Sequence, residues 1–438
     1  MLRIKTLVSR GSASIRLWTL IRAFALVVFL AVLTTAGVLS QAQSNFTVLH
    51  NFSGGVDGAY PDSTPTLDRA GNLYGTAAVG GTGQCSGRGC GTAYRLTHVN
   101  GSWTFNPLYS FTGQSDGAFP SGVTIGPDGT LFGTTTVGGA YQYGTLFNLK
   151  PPASAVCRSF LCPWTEITLH SFDLFSGWDQ RGNVVFDSQG NLYGTTGSGG
   201  THNSGTVYEA IRSGGTWNVN VIHNFDQLAD DGNMPDSGVA LDSAGNIYGT
   251  TQLGGIGPYR FGTVFELSPS QGGWTETILH FFTGVGEGCQ PAAGLVLDRA
   301  GNLYGATLGS GATCTGYGTL FELSPQGGGW NLRTLYTFSA EGPESTLAID
   351  SAGNLYGTVP LGGHSGCGYY NCGTVFELSP SGGGWTYTDL HDFSGNDGAQ
   401  PQAGVAVTGP GGYLYGTTSG GGTHGDGVIY QINLAARR

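Results

Sequence analysis

The sequence predicts an all-β fold made of seven similar sheets with four antiparallel strands each. The phrase GNLYGT or a close variant occurs seven times, at intervals of 52 to 61 residues. Each interval contains four short segments rich in Val, Ile, Leu, Tyr, Phe or Thr and bounded by Gly, Asp or Pro, as strands usually are. The first segment of the propeller also has the pattern of the one strand that the last repeat lacks. Four antiparallel strands in each of seven repeats are typical of a seven-bladed β-propeller.

Residues 1–42 have the pattern of a secretory signal peptide rather than of a folded domain. A basic stretch ends at Arg22, an apolar run covers Ala23–Leu39, and small residues suit cleavage after Ala42. An uncleaved membrane anchor is the alternative, but the apolar run is short for a membrane span. We therefore expect a secreted, extracellular or periplasmic protein without a stable membrane span, whose propeller occupies residues 43–438.

The composition excludes two classes of partner. The chain has 28 acidic and 17 basic residues and a net charge of −11. Since so acidic a surface repels nucleic acid and anionic lipid, we predict neither as a partner. Gly accounts for 79 of the 438 residues, but 11% aromatic residues and regular apolar runs indicate ordered β structure with many turns.

Each repeat, of about 57 residues, contains four segments that we name A, B, C and D in chain order. In the fourth repeat, A and its turn lie within Ser237–Asn246, B ends at Thr250, C begins at Gly262 and D covers Trp274–Phe282. The turn DSAGN between A and B predicts a hairpin, because Asp accepts backbone N–H groups and Gly adopts a positive φ. The short B–C and C–D connections also suit antiparallel neighbours.

Two residue types inside the repeat have predicted packing roles. Gly75, like its equivalents in the middle of each B segment, is expected to let an aromatic residue of an adjacent blade approach the backbone. Trp103 and its counterparts at the start of the D segments are expected to pack on the blade rather than to bind a ligand.

The ends of the chain predict a closed ring. Phe46–Phe52 reads as a D strand with no A, B or C before it, whereas the C-terminal repeat has an A at Gly404–Thr408, a B, a C at Gly427–Ile432 and no D. The N-terminal strand is therefore expected to complete the last blade, which leaves no exposed sheet edge between the first and last blades. An open solenoid is the alternative, but its ends would not need to complement each other.

The repeated units also resemble a known family. The phrases G-N-L-Y-G-T-T-x-x-G-G, G-T-V-F-E-L-x-P and L-H-x-F-x-x-x-D-G-x-x-P are similar to GloVer (Gloeobacter/Verrucomicrobia-type) tandem repeats of exported bacterial proteins. The resemblance implies export and a propeller-like fold, and it implies no particular activity. Many family members carry a C-terminal sorting tail, which YQINLAARR does not resemble, so we expect release rather than anchoring through such a tail.

Eight cysteines in an exported chain predict disulfides. B–C loops and D–A links leave an up-and-down blade on the same side of the ring, which we call the top face, so a bond between those two kinds of loop is allowed. Metal ligation is the alternative, but the C-x4-C spacing and the scatter over several blades do not favour it. The predicted pairs are Cys85–Cys90, Cys157–Cys162, Cys289–Cys314 and Cys367–Cys372.

Histidines are the first candidates for chemistry. Those of the repeated LH phrase in the D strands are expected to pack there: His50, His170, His223, His280 and His391. Three others lie in B–C loops of the top face: His202, His364 and His424. These three would form a metal or acid/base cluster only if their loops fold inward.

Acidic residues are the second candidates. We expect Asp179 to take the place of a repeated acid in the link to blade 3. In the other six D–A links, an acid followed by Gly recurs: Asp57, Asp116, Asp231, Glu287, Glu341 and Asp397. A repeated turn explains this pattern, whereas a ring of carboxylates could bind a cation or cleave a glycoside. Repetition favours the turn, because a catalytic residue is needed only once. Asp179 and His202 break the repeat and are the candidate catalytic residues.

Aromatic residues in the glycine-rich top loops are the third candidates. Exposed aromatic faces stack on sugar rings or on apolar peptides, although local packing of the long loops explains these residues equally well. Together with the three loop histidines, they form the predicted binding set: Tyr141, Tyr143, Tyr259, Phe261, Tyr317, Tyr369 and Tyr370.

The sequence therefore predicts an extracellular binding propeller that engages a glycan or a protein through its top face. The alternatives are a polysaccharide hydrolase or lyase that uses acids of the same face, and a structural surface protein. A deep central cavity lined by non-repeated polar residues would favour an enzyme, whereas a flat rim would favour a binding protein. No cofactor and no metal are predicted.

Overall fold

The computed structural model describes residues 45–437 except 86, 153–162, 229, 257–259, 312, 364–366 and 368–371. The described residues form seven four-stranded antiparallel sheets, one for each repeat, and contain no α-helix. Within them, no helix has the length and apolar character of a membrane span. The signal peptide predicted for residues 1–42 lies outside the described residues.

Each blade has the strand order A-B-C-D. From blade 1 to blade 7, the A strands are Thr66–Leu67, Ala118–Ile125, Val185–Phe186, Ala240–Leu241, Val296–Leu297, Ala348–Ile349 and Ala406–Val407. In the same order, the B strands are Leu73–Ala77, Leu131–Val137, Leu192–Thr196, Ile247–Thr251, Leu303–Thr307, Leu355–Val359 and Tyr413–Thr418.

The outer strands are longer than the A strands of most blades. The C strands are Thr92–Val99, Thr145–Lys150, Thr206–Ser213, Thr263–Ser270, Thr319–Gln326, Thr374–Ser381 and Val428–Asn433. The D strands are Ser102–Ser110, Thr165–Ser171, Thr216–Asn224, Gly273–Phe281, Gly329–Thr337, Gly384–Asp392 and, for blade 7, Phe46–Asn51. A small ribbon pairs Gly232–Asn233 with Leu253–Gly254, and a 3-10 helix covers Leu434–Arg437.

The N-terminal strand completes the last blade, as predicted. Phe46 pairs with Ile432 and Val48 with Tyr430 in an antiparallel register. The join between blades 7 and 1 is also packed, because one buried cluster contains Ile429 of blade 7 and Tyr94 of blade 1. The ring is therefore closed, and the alternative of an open solenoid is excluded.

The repeated phrase GNLYGT is explained by a hydrogen-bonded turn. In blade 1, Asp68 Oδ1 accepts the backbone N–H groups of Ala70 and Asn72, at 2.9 and 2.8 Å. Asp68 Oδ2 accepts the side-chain amide of Asn72 at 2.7 Å and the hydroxyl of Tyr74 at 3.3 Å. Blades 3, 4, 5 and 6 repeat this arrangement around Asp187, Asp242, Asp298 and Asp350. The Asn and Tyr of the phrase are therefore partners of the preceding Asp.

The Thr that ends the phrase joins neighbouring blades. Thr195 Oγ1 donates to the carbonyl oxygen of Ser237 in the next blade at 2.6 Å. The same bond links Thr76 to Pro120, Thr250 to Ala293, Thr358 to Ala403 and, across the closing join, Thr417 to Ser63. Buried hydroxyl groups thus find partners across the blade interface, where apolar packing alone would leave the carbonyl oxygens unpaired.

The core lies between blades rather than within them. The cluster containing Tyr74 and Ala93 of blade 1, for example, also contains Val123 and Phe147 of blade 2. In blades 1 to 6, the Trp at the start of the D strand packs against the aromatic residue of the preceding blade's B strand, as Trp103 does against Tyr415 with ring centroids 5.7 Å apart. The predicted packing role of these Trp residues is confirmed.

The glycine in the middle of the B strand does admit an aromatic ring, but the predicted source of that ring is wrong. Gly75 pairs with Tyr94 of the same blade's C strand, and a Cβ at Gly75 would lie 2.5 Å from the Tyr94 hydroxyl. The ring folds back over its own sheet because the facing position has no side chain.

Three of the four predicted disulfides are present. Cys85–Cys90 and Cys367–Cys372 close short segments of the B–C loops of blades 1 and 6. Cys289–Cys314 joins a D–A link to a B–C loop, which confirms that both kinds of loop lie on the top face. The fourth predicted pair, Cys157 and Cys162, lies outside the described residues.

We predict that the strand Phe46–Asn51 can be supplied as a separate peptide. Its deletion leaves the C strand Val428–Asn433 as an open edge, which should lower the thermal midpoint of unfolding. Excess peptide of sequence FTVLHN should restore much of the loss by strand addition, as measured by thermal unfolding. A scrambled peptide is the control, and unchanged stability after the deletion would contradict the closure.

We also predict that Tyr94→Phe stabilises the protein. The Tyr94 hydroxyl is buried and has no hydrogen-bond partner among the described residues, while Phe147 and Phe265 occupy the same position in blades 2 and 4. Removing an unsatisfied hydroxyl should raise the free energy of unfolding by about 1 kcal/mol. Tyr193→Phe is the matched control, because its hydroxyl donates to Asp187 and Glu209. Chemical denaturation should show opposite signs for the two variants.

Candidate functional site

A cavity of about 380 Å³ lies where the seven D–A links meet on the top face. One residue from the same place in each link lines it, directly after a Pro in six links and after Gln180 in the link to blade 3. We call these seven residues the central ring: Asp62, Ser121, Arg181, Asp236, Ala292, Glu344 and Gln402. Unlike the rest of the repeat, the ring has a different polar or small residue in nearly every blade.

The backbone of each link fixes the direction of its ring residue. Two positions before the ring residue, six of the seven links have a non-glycine residue with φ between 54° and 62°: Tyr60, Phe119, Asp179, Met234, Gln290 and Gln400. Hydrogen bonds anchor this turn, such as the bond from the Ala78 N–H to the Tyr60 carbonyl at 3.0 Å. The following Pro then packs against a glycine of the preceding blade, as Pro61 does on Gly427. The ring residues therefore project from a rigid support.

Arg181 is the cation of the central ring and is surrounded by carboxylates. Its Nε lies 3.1 Å from Asp179 Oδ1 and 3.2 Å from Asp236 Oδ1, and its Nη1 donates to Asp236 Oδ2 at 3.3 Å. The charges of Asp62 and Glu344 also interact with this guanidinium. Four carboxyl groups thus face one permanent positive charge.

The carboxyl groups of the ring hold protons more tightly than usual. Desolvation raises the pKa of Asp62 to about 6, although Arg181 opposes the shift. Desolvation also raises the pKa of Asp236 and of Glu344, with further contributions from the neighbouring acids. Asp62 is exposed to the cavity, and the protein atoms around the cavity account for the desolvation. Its carboxyl group therefore exchanges a proton near neutral pH.

A second cavity, of about 410 Å³, adjoins the first. Asp62, Ser121 and Arg181 line both cavities, and Asp179 lines the second. The two spaces together form one depression from the centre of the top face towards blade 2.

Asp179 reaches this site, but the role predicted for it in the turn is wrong. The link to blade 3 places Ser176 where other links place the turn acid. The Ser176 carbonyl accepts the Thr206 hydroxyl at 3.1 Å, just as the Asp57 carbonyl accepts the Thr92 hydroxyl. Asp179 instead occupies the positive-φ position of the link, with φ of 62°, and its carboxylate contacts Arg181.

The repeated acids form turns and do not line the central cavity. Asp57 accepts the Ser53 N–H at 3.0 Å and lies 3.2 Å from His50 Nε2, and Asp397 lies 2.9 Å from His391 Nε2. These residues support the interpretation of a repeated turn, with a D-strand His or Tyr as an additional partner. Glu341 differs, because it is exposed and lines a separate cavity of about 330 Å³.

The predicted top-loop residues do not converge in the described part of the chain. His202 is half exposed and lies 3.6 Å from Asp226, and His424 is exposed in another blade. Phe261 belongs to the core, with 8% of its surface exposed, and Tyr143 is partly buried against Trp178.

Two of the predicted aromatic residues remain candidates for surface contacts. Tyr141 and Tyr317 are 59% and 56% exposed, but neither lines the central cavity. The remaining members of the predicted set lie outside the described residues: Tyr259, His364, Tyr369 and Tyr370.

A family model supports the interpretation of the repeats. The model of the Gloeobacter/Verrucomicrobia repeat matches residues 34–260, 161–370 and 241–438. The chain belongs to this repeat family. No curated protein has a matching sequence.

Solved structures share the fold of this family member at low sequence identity. The extracellular domain of a one-component system from B. thetaiotaomicron has a TM-score of 0.52 and 10% identity, over 89% of this chain and 40% of that one. A PL25 ulvan lyase bound to -[GlcA(1-4)Rha3S]- has a TM-score of 0.52 and 11% identity, over 87% of this chain and 95% of the lyase. At such identities, the likeness shows the propeller fold alone.

The central ring was missed by sequence reasoning, although the sequence contains a signal for it. Six of the seven ring residues directly follow the Pro that ends the repeated D-G-x-x-P phrase or its equivalent. At this position the repeat changes from Asp to Ser, Ala, Glu or Gln, and Arg181 holds the same place in the remaining link. A variable position next to a Pro that six of the seven links share indicates a binding surface on a repeated scaffold.

We predict that Asp62→Asn raises stability at neutral pH but not in acid. Because the folded-state pKa is raised from 3.8 to about 6, the folded protein binds this proton more tightly than the unfolded chain. The ionised carboxylate therefore lowers stability fully above about pH 6 and not at all below about pH 4. Thermal unfolding from pH 4 to pH 8 should show a gain for the variant that grows across this window.

Asp57→Asn is the control for this pH profile. It removes an acceptor of the Ser53 N–H and hydroxyl, so it should lower the stability at neutral pH. A gain for Asp62→Asn that is equally large at pH 4 and pH 8 would contradict the assignment.

Proposed function

We propose that this protein binds a neutral glycan outside the cell, in the central cavity of its top face. The observation that supports this proposal is the convergence of seven ring residues of six types, one from each blade, on a single polar depression. Residues with structural roles are alike in most blades of this molecule, whereas only Asp occurs twice in the ring. A ligand that contacts each blade differently explains that difference.

The lining has the chemistry of sugar recognition. Carboxylates accept hydrogen bonds from hydroxyl groups, the Gln402 amide both donates and accepts, and the Arg181 guanidinium donates. Charge-assisted bonds of this kind are stronger than bonds between neutral groups. The two adjoining cavities, of about 380 and 410 Å³, have the size of small-molecule sites. A short stretch of an oligosaccharide fits such a site.

Charge selects among glycans. Asp62, Asp179, Asp236 and Glu344 surround the single cation Arg181, and the whole chain carries a net charge of −11. An acidic polysaccharide would meet repulsion both at a distance and in the cavity. A neutral sugar avoids this cost and uses the carboxylates as hydrogen-bond acceptors.

Location outside the cytosol is supported by the disulfides and by the N-terminal pattern. Three disulfides close loops of the top face, and such bonds persist in oxidising compartments. Residues 1–42 have the pattern of a cleaved signal peptide. We infer a secreted or periplasmic protein.

Glycan cleavage is the second candidate function, and the pKa of Asp62 favours it. A carboxyl group with a pKa of about 6 suits a general acid, because it keeps its proton up to about that pH and releases it readily. Glu344, whose pKa is also raised, or Asp236 would then act as the second carboxyl group of a hydrolase.

A glycan array and binding calorimetry test the proposed binding. We expect the purified protein to bind neutral oligosaccharides in preference to sulfated or uronate-containing ones. Gln402→Ala and Asp62→Asn should each weaken binding about tenfold, because each removes one or two hydrogen bonds to the ligand. Tyr413→Ala, which changes an exposed aromatic residue beside the A–B turn of blade 7, is the matched control and should bind normally.

Two outcomes would contradict the proposal. Preference for acidic glycans would refute the charge argument, and failure to bind any glycan would favour a structural surface protein. Incubation of each bound polysaccharide, followed by measurement of new reducing ends and unsaturated products, separates binding from cleavage. An enzyme should lose turnover in Asp62→Asn while its thermal midpoint does not fall.

A further inference from the structure

The seam between blades 3 and 4 brings together one histidine and two carboxylates. His223 lies on the D strand of blade 3, Asp231 on the link that leaves this strand, and Glu276 on the D strand of blade 4. His223 Nε2 is 3.5 Å from Asp231 Oδ2 and 3.5 Å from Glu276 Oε1. Among the described residues, these three form the one group of His, Cys, Asp or Glu whose ligand atoms are close enough to share an ion.

The spacing is that of ligands around a small cation. Zinc binds imidazole nitrogen and carboxylate oxygen at about 2.0–2.2 Å, so two ligands at a tetrahedral angle lie about 3.4 Å apart. The two distances from His223 match this value. They are also longer than a normal hydrogen bond, and neither His223 Nε2 nor Glu276 Oε1 has a hydrogen-bond partner among the described residues. A shared ion would satisfy both buried atoms.

The other seams show that Glu276 is a departure from the repeat. In blades 1, 6 and 7, the residue at this position of the D strand is aromatic and stacks on the D-strand His or Tyr of the preceding blade. Phe105 stacks on His50, Phe46 on His391 and Tyr387 on Tyr336. Glu166 also occupies this position, but its charge acts on Tyr109, which is a poor ligand at neutral pH. A carboxylate opposite a His–acid pair occurs only at the seam of blades 3 and 4 among the described residues.

We propose that His223 Nε2, Asp231 Oδ2 and Glu276 Oε1 bind one divalent transition-metal ion of the zinc class. One imidazole and two carboxylates suit zinc better than Ca²⁺, which takes six to eight oxygen ligands. The three side chains are 12–20% exposed, so a water molecule can reach a fourth coordination position. The site is separate from the central ring and does not depend on glycan binding.

The ion would add a link between two blades that also meet through packing and through the hydrogen bond from Thr195 to Ser237. Asp231 and Asp236 lie on the same D–A link, and Glu276 belongs to the following blade. Metal binding would therefore restrict the motion of the D–A link that carries Asp236, one of the central-ring carboxylates. Zinc released from this seam should lower the stability of the whole ring, because binding to the folded state stabilises it by mass action.

Metal content and calorimetry test the site. The protein is purified without a histidine tag, treated with chelator, and titrated with Zn²⁺. We expect about one Zn²⁺ per chain and a higher thermal midpoint with zinc present. Glu276→Gln, which preserves shape and fold, and His223→Ala should each weaken binding at least about tenfold.

Two matched controls distinguish zinc binding at this seam from zinc binding at other histidines. His280→Ala removes the equivalent His of the next seam, where Glu287 lies 3.2 Å away without a third ligand identified. His202→Ala removes an exposed His next to Asp226. Both variants should keep the zinc affinity of the unchanged protein.

Three outcomes would overturn the proposal. One is the absence of zinc binding at micromolar concentrations, which would mean that the three groups share only a proton. The second is equal zinc affinity in the unchanged protein and Glu276→Gln. The third is an equal loss of affinity in His280→Ala.

Discussion

Coverage of each blade on both faces by its neighbours is the constraint on which the rest of this structure depends. The buried clusters span adjacent blades, as Tyr74 and Phe147 do, so no sheet has a complete core of its own. The bonds from B-strand Thr hydroxyls to the next blade satisfy polar groups in those same interfaces. Such a set of sheets is stable only as a ring, because an end blade would expose an apolar face.

Closure of the ring also creates the candidate site. Because every D–A link crosses the top face in the same way, one position per link faces the axis, and the framework does not dictate the residue there. The turn residues must be alike to build the blades, whereas Asp62, Arg181, Asp236 and Glu344 are free to differ. Desolvation by the surrounding blades then raises the pKa of the three carboxyl groups that belong to the ring. The scaffold thus supplies both the positions and the electrostatic environment.

Much of the fold could be predicted from the sequence because it depends on repeated local signals. The Asp-to-Asn turn, the paired ends of the chain and the disulfide Cys289–Cys314 follow from spacing and from the alternation of loops between two faces. The site could not be predicted in the same way. Ser176 and Asp179 lie three positions apart in one link, and only the bond from Thr206 to the Ser176 carbonyl identifies the turn position. The direction of Asp62 depends on the positive φ at Tyr60. The cluster of His223, Asp231 and Glu276 joins two blades, so its geometry requires the packed ring.

Blade 7 takes its D strand from the N-terminal end of the propeller, and this has a consequence for the order of folding during synthesis. Phe46 must remain without its sheet partner until Ile432 has been made, which is nearly the whole translation time of the chain. Until then, blade 1 has no neighbour on one side, and a nascent chain in that state presents apolar surface suited to chaperones. The final step also joins residues at opposite ends of the polypeptide, which makes it a contact of very high sequence separation and a natural rate limit for folding.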